Sequence, residues 1–343
     1  MNFLIIKLSA IGDVVLSLGF LDALRSAFPD ARITWVVEEA ASQIVLDHPA
    51  LDRVIVSRRK RWTRDFKHGR IRSALRDISV FWEELRHEKY DVVVDLQGLF
   101  KSGILTFFSR GRRKIGFHGT RELSWVFLNE RLPAYDPDRH AAMRYLDVAK
   151  YLGADVEPPR VFFPVRENAA QEARRLVENV RRPLAAVNPG AKWPTKLWPV
   201  QNWQELCSIL TDEFGLGVVL TGSPDETEEN KRIADSAPGV VDLTGRTGLK
   251  VLAEIFRQCD LVISPDTGPM HLAAAVETPV VALFGPTAPW RTGPFGPGHM
   301  VLRTGEDCSP CFKKSCPDVR CMTDLKPKVV AEIVAGKLGV RHV

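Results

Sequence analysis

Leu261-Val262-Ile263-Ser264-Pro265-Asp266-Thr267-Gly268-Pro269-Met270-His271 reads as an apolar strand that stops, a tight turn, and a helix that starts. The strand is apolar along most of its length, the pattern of a parallel strand covered on both faces. Pro269 falls in the first turn of the helix, where a missing N–H does no harm. The N–H groups after Asp266 and the Thr267 hydroxyl then gather at the positive end of that helix, which suits a phosphate. On these residues alone two plainer uses stay open: Asp266 as a helix cap and His271 as a surface histidine. An aspartic-protease reading fails, because Asp-Thr-Gly occurs once and such a site needs paired carboxylates in an all-β setting.

The same alternation continues on either side of this turn. In the second half strands are expected at 184–188, 217–221, 240–242, 261–264 and 280–284, with helices at 200–214, 226–237, 250–258 and 269–276. The first half repeats the pattern, with strands at 3–8, 33–37, 53–56, 91–95 and 114–117 and helices at 14–28, 41–46, 73–87 and 101–109. The expected class is α/β: two Rossmann-like, doubly wound domains facing each other across a cleft at the carboxyl ends of their strands. A length of 343 residues suits two such domains. Boundaries are expected at 1–160 and 184–343, with 161–183 as a linker in which prolines surround a charged helix.

Apolar runs are strand-length, and none approaches the ~20 residues that cross a bilayer. Met1-Asn2-Phe3-Leu4-Ile5-Ile6-Lys7 lacks the order of a secretion signal, so a cytoplasmic protein is expected. The net charge of +5 is concentrated: residues 58–76 hold nine Lys/Arg and a single acid, Asp65, so that the rest of the chain sums to −3. Such a patch points to one anionic partner at one place. Nucleic acid does not fit, because only Trp62 and Phe66 are interleaved as stacking platforms.

Three further loops carry chemistry. Leu8-Ser9-Ala10-Ile11-Gly12-Asp13 joins the first strand to the first helix and delivers Asp13 to a helix start, as a cap or as a general base. Asn188-Pro189-Gly190-Ala191-Lys192-Trp193-Pro194-Thr195-Lys196 gathers small residues, Thr195 and two lysines, suiting a diphosphate neutralised by lysine rather than by a metal. Thr221-Gly222-Ser223-Pro224-Asp225-Glu226 offers Glu226 to a ribose or to a helix cap. Neither G-x-G-x-x-G nor a Walker A loop occurs, which disfavours a nicotinamide oxidoreductase and a P-loop enzyme. Asp136-Pro137-Asp138 mimics the D-x-D of metal-dependent glycosyltransferases but has no preceding strand to deliver it. Cys308, Cys311, Cys316 and Cys321 can hold a structural zinc ion or stay as free reduced thiols.

These residues together resemble glycosyltransferase family 9, the ADP-heptose:lipopolysaccharide heptosyltransferases, with the type I enzymes as the nearest pattern. The resemblance is carried by residues 7–13, Trp35-Val36-Val37-Glu38-Glu39, Arg61-Trp62, Tyr90-Asp91, Gln97-Gly98-Leu99, Thr120-Arg121-Glu122 and Asp266-Thr267-Gly268 with His271. It implies a GT-B fold and inverting, metal-independent transfer of L-glycero-D-manno-heptose from ADP-heptose to the Kdo region of lipid A at the cytoplasmic face of the inner membrane. It implies Asp13 as general base and Thr195, Lys196, Glu226, Asp266, Thr267, Gly268 and His271 on the donor. Lys60, Arg61, Arg64 and Arg121 would meet acidic groups of the acceptor. No cofactor is implied for catalysis. The cysteine cluster departs from the type I pattern.

The alternatives are a type II or III enzyme or another family member with a different acceptor, a sugar-nucleotide epimerase, and a non-catalytic glycan-binding protein. Acceptor-dependent ADP release separates the transferase from the last two.

Overall fold

The computed structural model describes residues 1–156, 161, 163–164 and 166–342, with the side chain of Arg121 outside the described set. The chain forms two compact units, Met1–Pro164 and Val165–Val343. Each is built on a six-stranded sheet in which every pairing is parallel.

In the first unit β1 (Asn2–Ile6), β2 (Arg32–Glu38), β3 (Arg53–Ser57), β4 (Tyr90–Asp95), β5 (Gly111–Phe117) and β6 (Glu130–Leu132) lie in the order β3-β2-β1-β4-β5-β6. In the second, β7 (Leu184–Val187), β8 (Gly217–Leu220), β9 (Val240–Asp242), β10 (Leu261–Pro265), β11 (Val280–Leu283) and β12 (Met300–Leu302) give β12-β11-β10-β7-β8-β9. Both orders are the doubly wound arrangement with its reversal beside the first strand. The expected α/β class is what the molecule has. β7, β8, β10 and β11 are buried at every residue, as strands covered on both faces must be. Of the four edge strands, β3 has five residues and β6, β9 and β12 have three each, too short to offer a template to another chain.

The helix expected at 14–28 is two, Ile11–Leu16 and Leu18–Ala27. The break is at Ser17, whose hydroxyl donates back to the Val14 carbonyl at 2.8 Å and competes with the helical ladder. Periodicity missed the helix Arg59–Lys67, because its charged residues show no apolar stripe. It also missed Ala141–Tyr151, which packs on Leu18–Ala27, and Pro327–Leu338, which packs on Val200–Ser208. The helix Glu167–Val177, in the stretch expected to be linker, packs on Leu249–Gln258 within the second unit. Gly268–Ala275 is buried all along from Met270, beneath the end of β10.

Register matters at the carboxyl edges. Ile6 lies opposite Asp95, and Val187 opposite Ile263, so the loops leaving β1 and β4, and β7 and β10, start level with one another. Trp35, fully buried on β2, donates its indole N–H to the Lys7 carbonyl at 3.1 Å and fixes the first of those loops. Trp35→Ala should destabilise the first unit by about 3–5 kcal/mol through the cavity and the orphaned carbonyl together. Chemical denaturation monitored by circular dichroism measures this, and a loss below ~1 kcal/mol would contradict it.

Candidate active site

Where strand order reverses, the connections on either side leave in opposite directions and open a crevice at the carboxyl edge. In the first unit a cavity of about 270 Å³ lies there, lined by Lys7, Asp13, Asp95, Leu96, Gln97, Gly98, Leu99, Phe117, Thr120, Tyr135, Arg144 and Tyr145. The loop after β4 is stitched to the loop after β1 by one side chain: Gln97 Oε1 accepts the N–H groups of Leu8 (3.0 Å) and Ser9 (2.9 Å). Asp95 holds its own loop, accepting the N–H groups of Gln97 and Gly98 at Oδ1 and the Ser102 hydroxyl at Oδ2. Gly98 turns the chain with φ at +64°, a conformation costly for residues with a Cβ.

Asp13 is the third residue of the helix Ile11–Leu16. Its Oδ2 accepts the Ala10 N–H at 3.2 Å, and its Oδ1 accepts the Tyr145 hydroxyl at 3.2 Å. Asp13 therefore does reach back to the helix start, and it also lines the cavity. Lys7 is buried beneath it, with Nζ 3.4 Å from the Leu96 carbonyl and 4.8 Å from the centre of the Tyr145 ring. Burial lowers the Lys7 pKa, opposed by the charges of Asp13 and Asp95. Burial pushes the Asp95 carboxyl up to about 6, against its hydrogen bonds and Lys7. The Tyr145 hydroxyl is driven well above its ordinary value, by burial first and then by Asp13. A phenol so held stays a donor to the carboxylate.

Sequence reasoning gave no role to Arg144, Tyr145, Tyr135 or Asp95. Arg144 and Tyr145 sit on the missed helix Ala141–Tyr151, and no local pattern links position 145 to position 13. The basic residues named instead line other surfaces. Lys60 lines a separate cavity of about 160 Å³ with Glu38, Glu39, Ser57 and Arg58. Arg61 is 3.7 Å from Asp65 and 4.0 Å from Asp77. Arg64 is exposed, and the side chain of Arg121 lies outside the described residues. Part of the basic patch is neutralised within the unit itself: Arg58 meets Glu39, Arg59 meets Glu38, and Arg70 meets Asp65 at 2.6 Å. Lys60, Arg64, Lys67, Arg72 and Arg76 have no ion-pair partner among the described residues.

The second unit has the corresponding crevice. Lys196, from the loop after β7, reaches the loop after β10, with Nζ 2.6 Å from Asp266 Oδ2 and 3.2 Å from the Asp266 carbonyl. Thr287 donates to the same carboxylate oxygen at 2.7 Å, and the Trp193 ring lies 4.7 Å from Lys196 Nζ. Thr267 is the residue before the helix Gly268–Ala275, so that helix points its free N–H groups at this ion pair's neighbourhood. His271 lies one turn into the helix and is buried, not a surface histidine. Glu226 Oε2 accepts the Ser223 N–H at 2.6 Å as a cap. Its carboxylate also lies against the loop after β7: a Cβ on Gly190 would stand 1.8 Å from Glu226 Oε1. Only glycine at 190 admits that carboxylate. The Thr195 hydroxyl donates to the Lys313 carbonyl at 2.7 Å, tying this loop to the cysteine segment.

Cys308, Cys311, Cys316 and Cys321 line one small cavity of about 30 Å³ with Thr195. All six cysteines are unbridged. Among the described residues no group of three or more His, Cys, Asp or Glu is placed to hold a metal ion. The Cys321 thiol is raised, by burial first and then by its three neighbours.

Residues 78–321 match the model of glycosyltransferase family 9 (heptosyltransferase). The chain belongs to glycosyltransferase family 9. This family 9 glycosyltransferase is 31% identical to lipopolysaccharide heptosyltransferase 1 of Pseudomonas aeruginosa, over 92% of its own length and 87% of the relative's. It superposes on the E. coli heptosyltransferase WaaC with ADP at a TM-score of 0.79 and 29% identity, covering 98% of this chain and 100% of that one. With WaaC bound to ADP-2-deoxy-2-fluoro heptose the TM-score is 0.77 at 28% identity, over 98% and 99%. The two doubly wound sheets of this enzyme are thus those of a GT-B-like glycosyltransferase.

The raised Asp95 has a consequence for stability. Its carboxyl holds a proton in the folded enzyme at pH values where the unfolded chain has lost it, so its contribution is largest at low pH and declines as pH rises towards about 6. Between about pH 4 and about pH 7 the difference in unfolding free energy, wild type minus Asp95→Asn, should fall by up to about 3 kcal/mol. Urea titrations across that range measure it, and a flat difference would refute the assignment.

Proposed function

We propose that this family 9 glycosyltransferase moves L-glycero-D-manno-heptose from ADP-heptose to the Kdo region of the lipopolysaccharide inner core, with inversion and without a catalytic metal. The observation that carries the reading is Asp13: a carboxylate oriented at both oxygens, lining a cavity of about 270 Å³ at the switch point of its sheet. The names of the relatives supply the sugar and the acceptor class, and WaaC's complexes with ADP and a fluoro-heptose analogue supply the donor.

In this mechanism the acceptor hydroxyl gives its proton to Asp13 as its oxygen attacks the anomeric carbon. The bond from that carbon to the β-phosphate oxygen breaks, and ADP leaves with the electron pair. A single displacement of this kind inverts the anomeric centre. Lys196 exchanges part of its contact with Asp266 for the diphosphate, and the free N–H groups at the start of Gly268–Ala275 share the developing charge. Thr267, Gly268 and His271 lie at or just inside that helix end. Asp266, released from Lys196 but still held by Thr287, turns an oxygen to the heptose. Glu226 takes the ribose hydroxyls across Gly190. Thr195 acts by fixing the loop that carries Lys196. Lys60, Arg61, Arg64 and Arg121, with Arg144 in the cavity, meet the carboxylates and phosphates of an acceptor held at the cytoplasmic face of the inner membrane.

Three measurements test this. With ADP-heptose and a Kdo-lipid A acceptor, Asp13→Ala should lower kcat by about 10³-fold or more while ADP affinity changes by less than about twofold. A variant with substantial turnover would remove Asp13 from the mechanism. Gly190→Ala should weaken ADP about tenfold or more by displacing Glu226, measured by calorimetry, with the Glu226→Ala and Gly190→Ala effects failing to add. A chelator should leave initial rates unchanged, and a rate restored only by divalent cation would overturn the lysine-based neutralisation.

A further inference from the structure

Next to the crevice of the first unit lies an apolar surface that the reaction leaves unused. The helix Phe100–Phe108 leaves Phe100, Phe107 and Phe108 at least half exposed. The turn Arg121–Phe127 adds Leu123, 63% exposed, and Val126. The rings form a continuous ribbon: Trp62, Phe81, Trp82, Phe108, Phe107, Phe127 and Phe100 follow one another with centroids 5.1–5.9 Å apart. Phe81 anchors the ribbon in the core, and Trp62, Trp82 and Phe127 are partly covered, while Phe100, Phe107, Phe108, Leu123 and Val126 make up its exposed part, an apolar patch of the kind that marks a docking site.

The charge around it selects the partner. Residues 96–121 contain six Lys/Arg and no Asp or Glu. Arg110 and Arg112 are exposed beside the ribbon, and Lys114 Nζ lies 5.5 Å from the Phe107 ring centre. At the other end Trp62 belongs to the helix Arg59–Lys67, where Lys60, Arg64 and Lys67 face solvent. A second copy of this chain would set basic surface against basic surface, which is repulsive. An anionic bilayer satisfies both components, with rings and aliphatic side chains at the acyl boundary and cations on the headgroup phosphates.

We propose that the exposed rings of Phe100, Phe107 and Phe108, with Leu123 and Val126, form the surface by which this enzyme sits on an anionic phospholipid bilayer. The inference deepens the proposed function, because it rests on an acceptor that is anchored in a membrane. Position supports it: Leu99 lines the Asp13 cavity and is followed directly by Phe100, and Thr120 lines the same cavity and is followed by the turn that carries Leu123. A bilayer seated on the ribbon therefore lies beside the cavity.

The test is co-sedimentation of the full chain with vesicles of phosphatidylglycerol and phosphatidylethanolamine, free of any acceptor, against vesicles of phosphatidylcholine alone. Wild type should bind the anionic vesicles and lose most of that binding in phosphatidylcholine or in high salt. The double variant Phe107→Glu, Leu123→Asn should weaken anionic binding about tenfold or more with its thermal transition retained; asparagine tolerates the left-handed backbone at 123, where φ is +56°. Leu123→Asn alone, at an exposed position, gives a smaller loss in the same direction should the double variant not fold. On an acceptor stripped of acyl chains the variant should match wild type, whereas on acceptor in vesicles KM should rise with kcat kept. Unchanged vesicle binding in both variants would overturn the proposal. So would a concentration-dependent dimer, seen by ultracentrifugation, that the same variants abolish. Vesicle binding lost in the variants of a chain with no transferase activity would leave the surface standing and remove the functional reading instead.

Discussion

Two parallel sheets that each reverse direction beside their first strand impose the constraint from which the rest follows. A strand flanked by β2 and β4 sends its connection one way while β4 sends its own the other, so the backbone itself opens a gap at that edge. Nothing in the side chains creates the gap, but the side chains decide what stands in it. In the first unit Gln97 bridges the two diverging loops by accepting two backbone N–H groups, and Asp95 fixes the base of its own loop by three hydrogen bonds. In the second unit the bridge is ionic, Lys196 to Asp266. The first crevice is pinned by hydrogen bonds around buried charge, and the loops of the second are joined by a charge pair.

Burial sets the electrostatics of the first crevice. Lys7 and Asp95 are both withdrawn from water, and each is pushed towards its neutral form by that withdrawal while the other's charge holds it back. Asp13 offsets the Lys7 charge more than Asp95 does, and Asp95 is held besides by Gln97 and Gly98 N–H groups and by Ser102. Asp13 stands at the rim of this pair, oriented by Ala10 N–H and by a phenol that burial keeps protonated. A carboxylate fixed at both oxygens is placed for proton transfer at small reorganisation cost, the property the proposed mechanism requires.

Glycines and side chains cooperate by subtraction as well. Glu226 approaches the loop after β7 only because position 190 has no Cβ, and its second oxygen is spent capping its own turn at Ser223. One carboxylate oxygen caps the turn while the other lies against Gly190. The basic segment shows the opposite economy. Several of its arginines are consumed by Glu38, Glu39, Asp65 and Asp77, leaving a smaller set of unpaired cations than the sequence count suggests.

The amino-acid order by itself determined the α/β class, most strands of both sheets, and the three loops in which Asp13, Lys196 and Asp266 lie, because these depend on periodicity and turn chemistry over a few residues. It could also show that Asp13 and Asp266 open helices. It could not show that Tyr145 touches Asp13, that Glu226 needs Gly190, or that seven aromatic rings from four separate segments join into one ribbon. The edge strands β6 and β12 and a helix without an apolar stripe also escaped it, since their stability comes from neighbours and not from local pattern. Tertiary structure alone decided those contacts, for they join residues up to 132 positions apart and depend on which side chains burial brings within hydrogen-bonding or van der Waals distance.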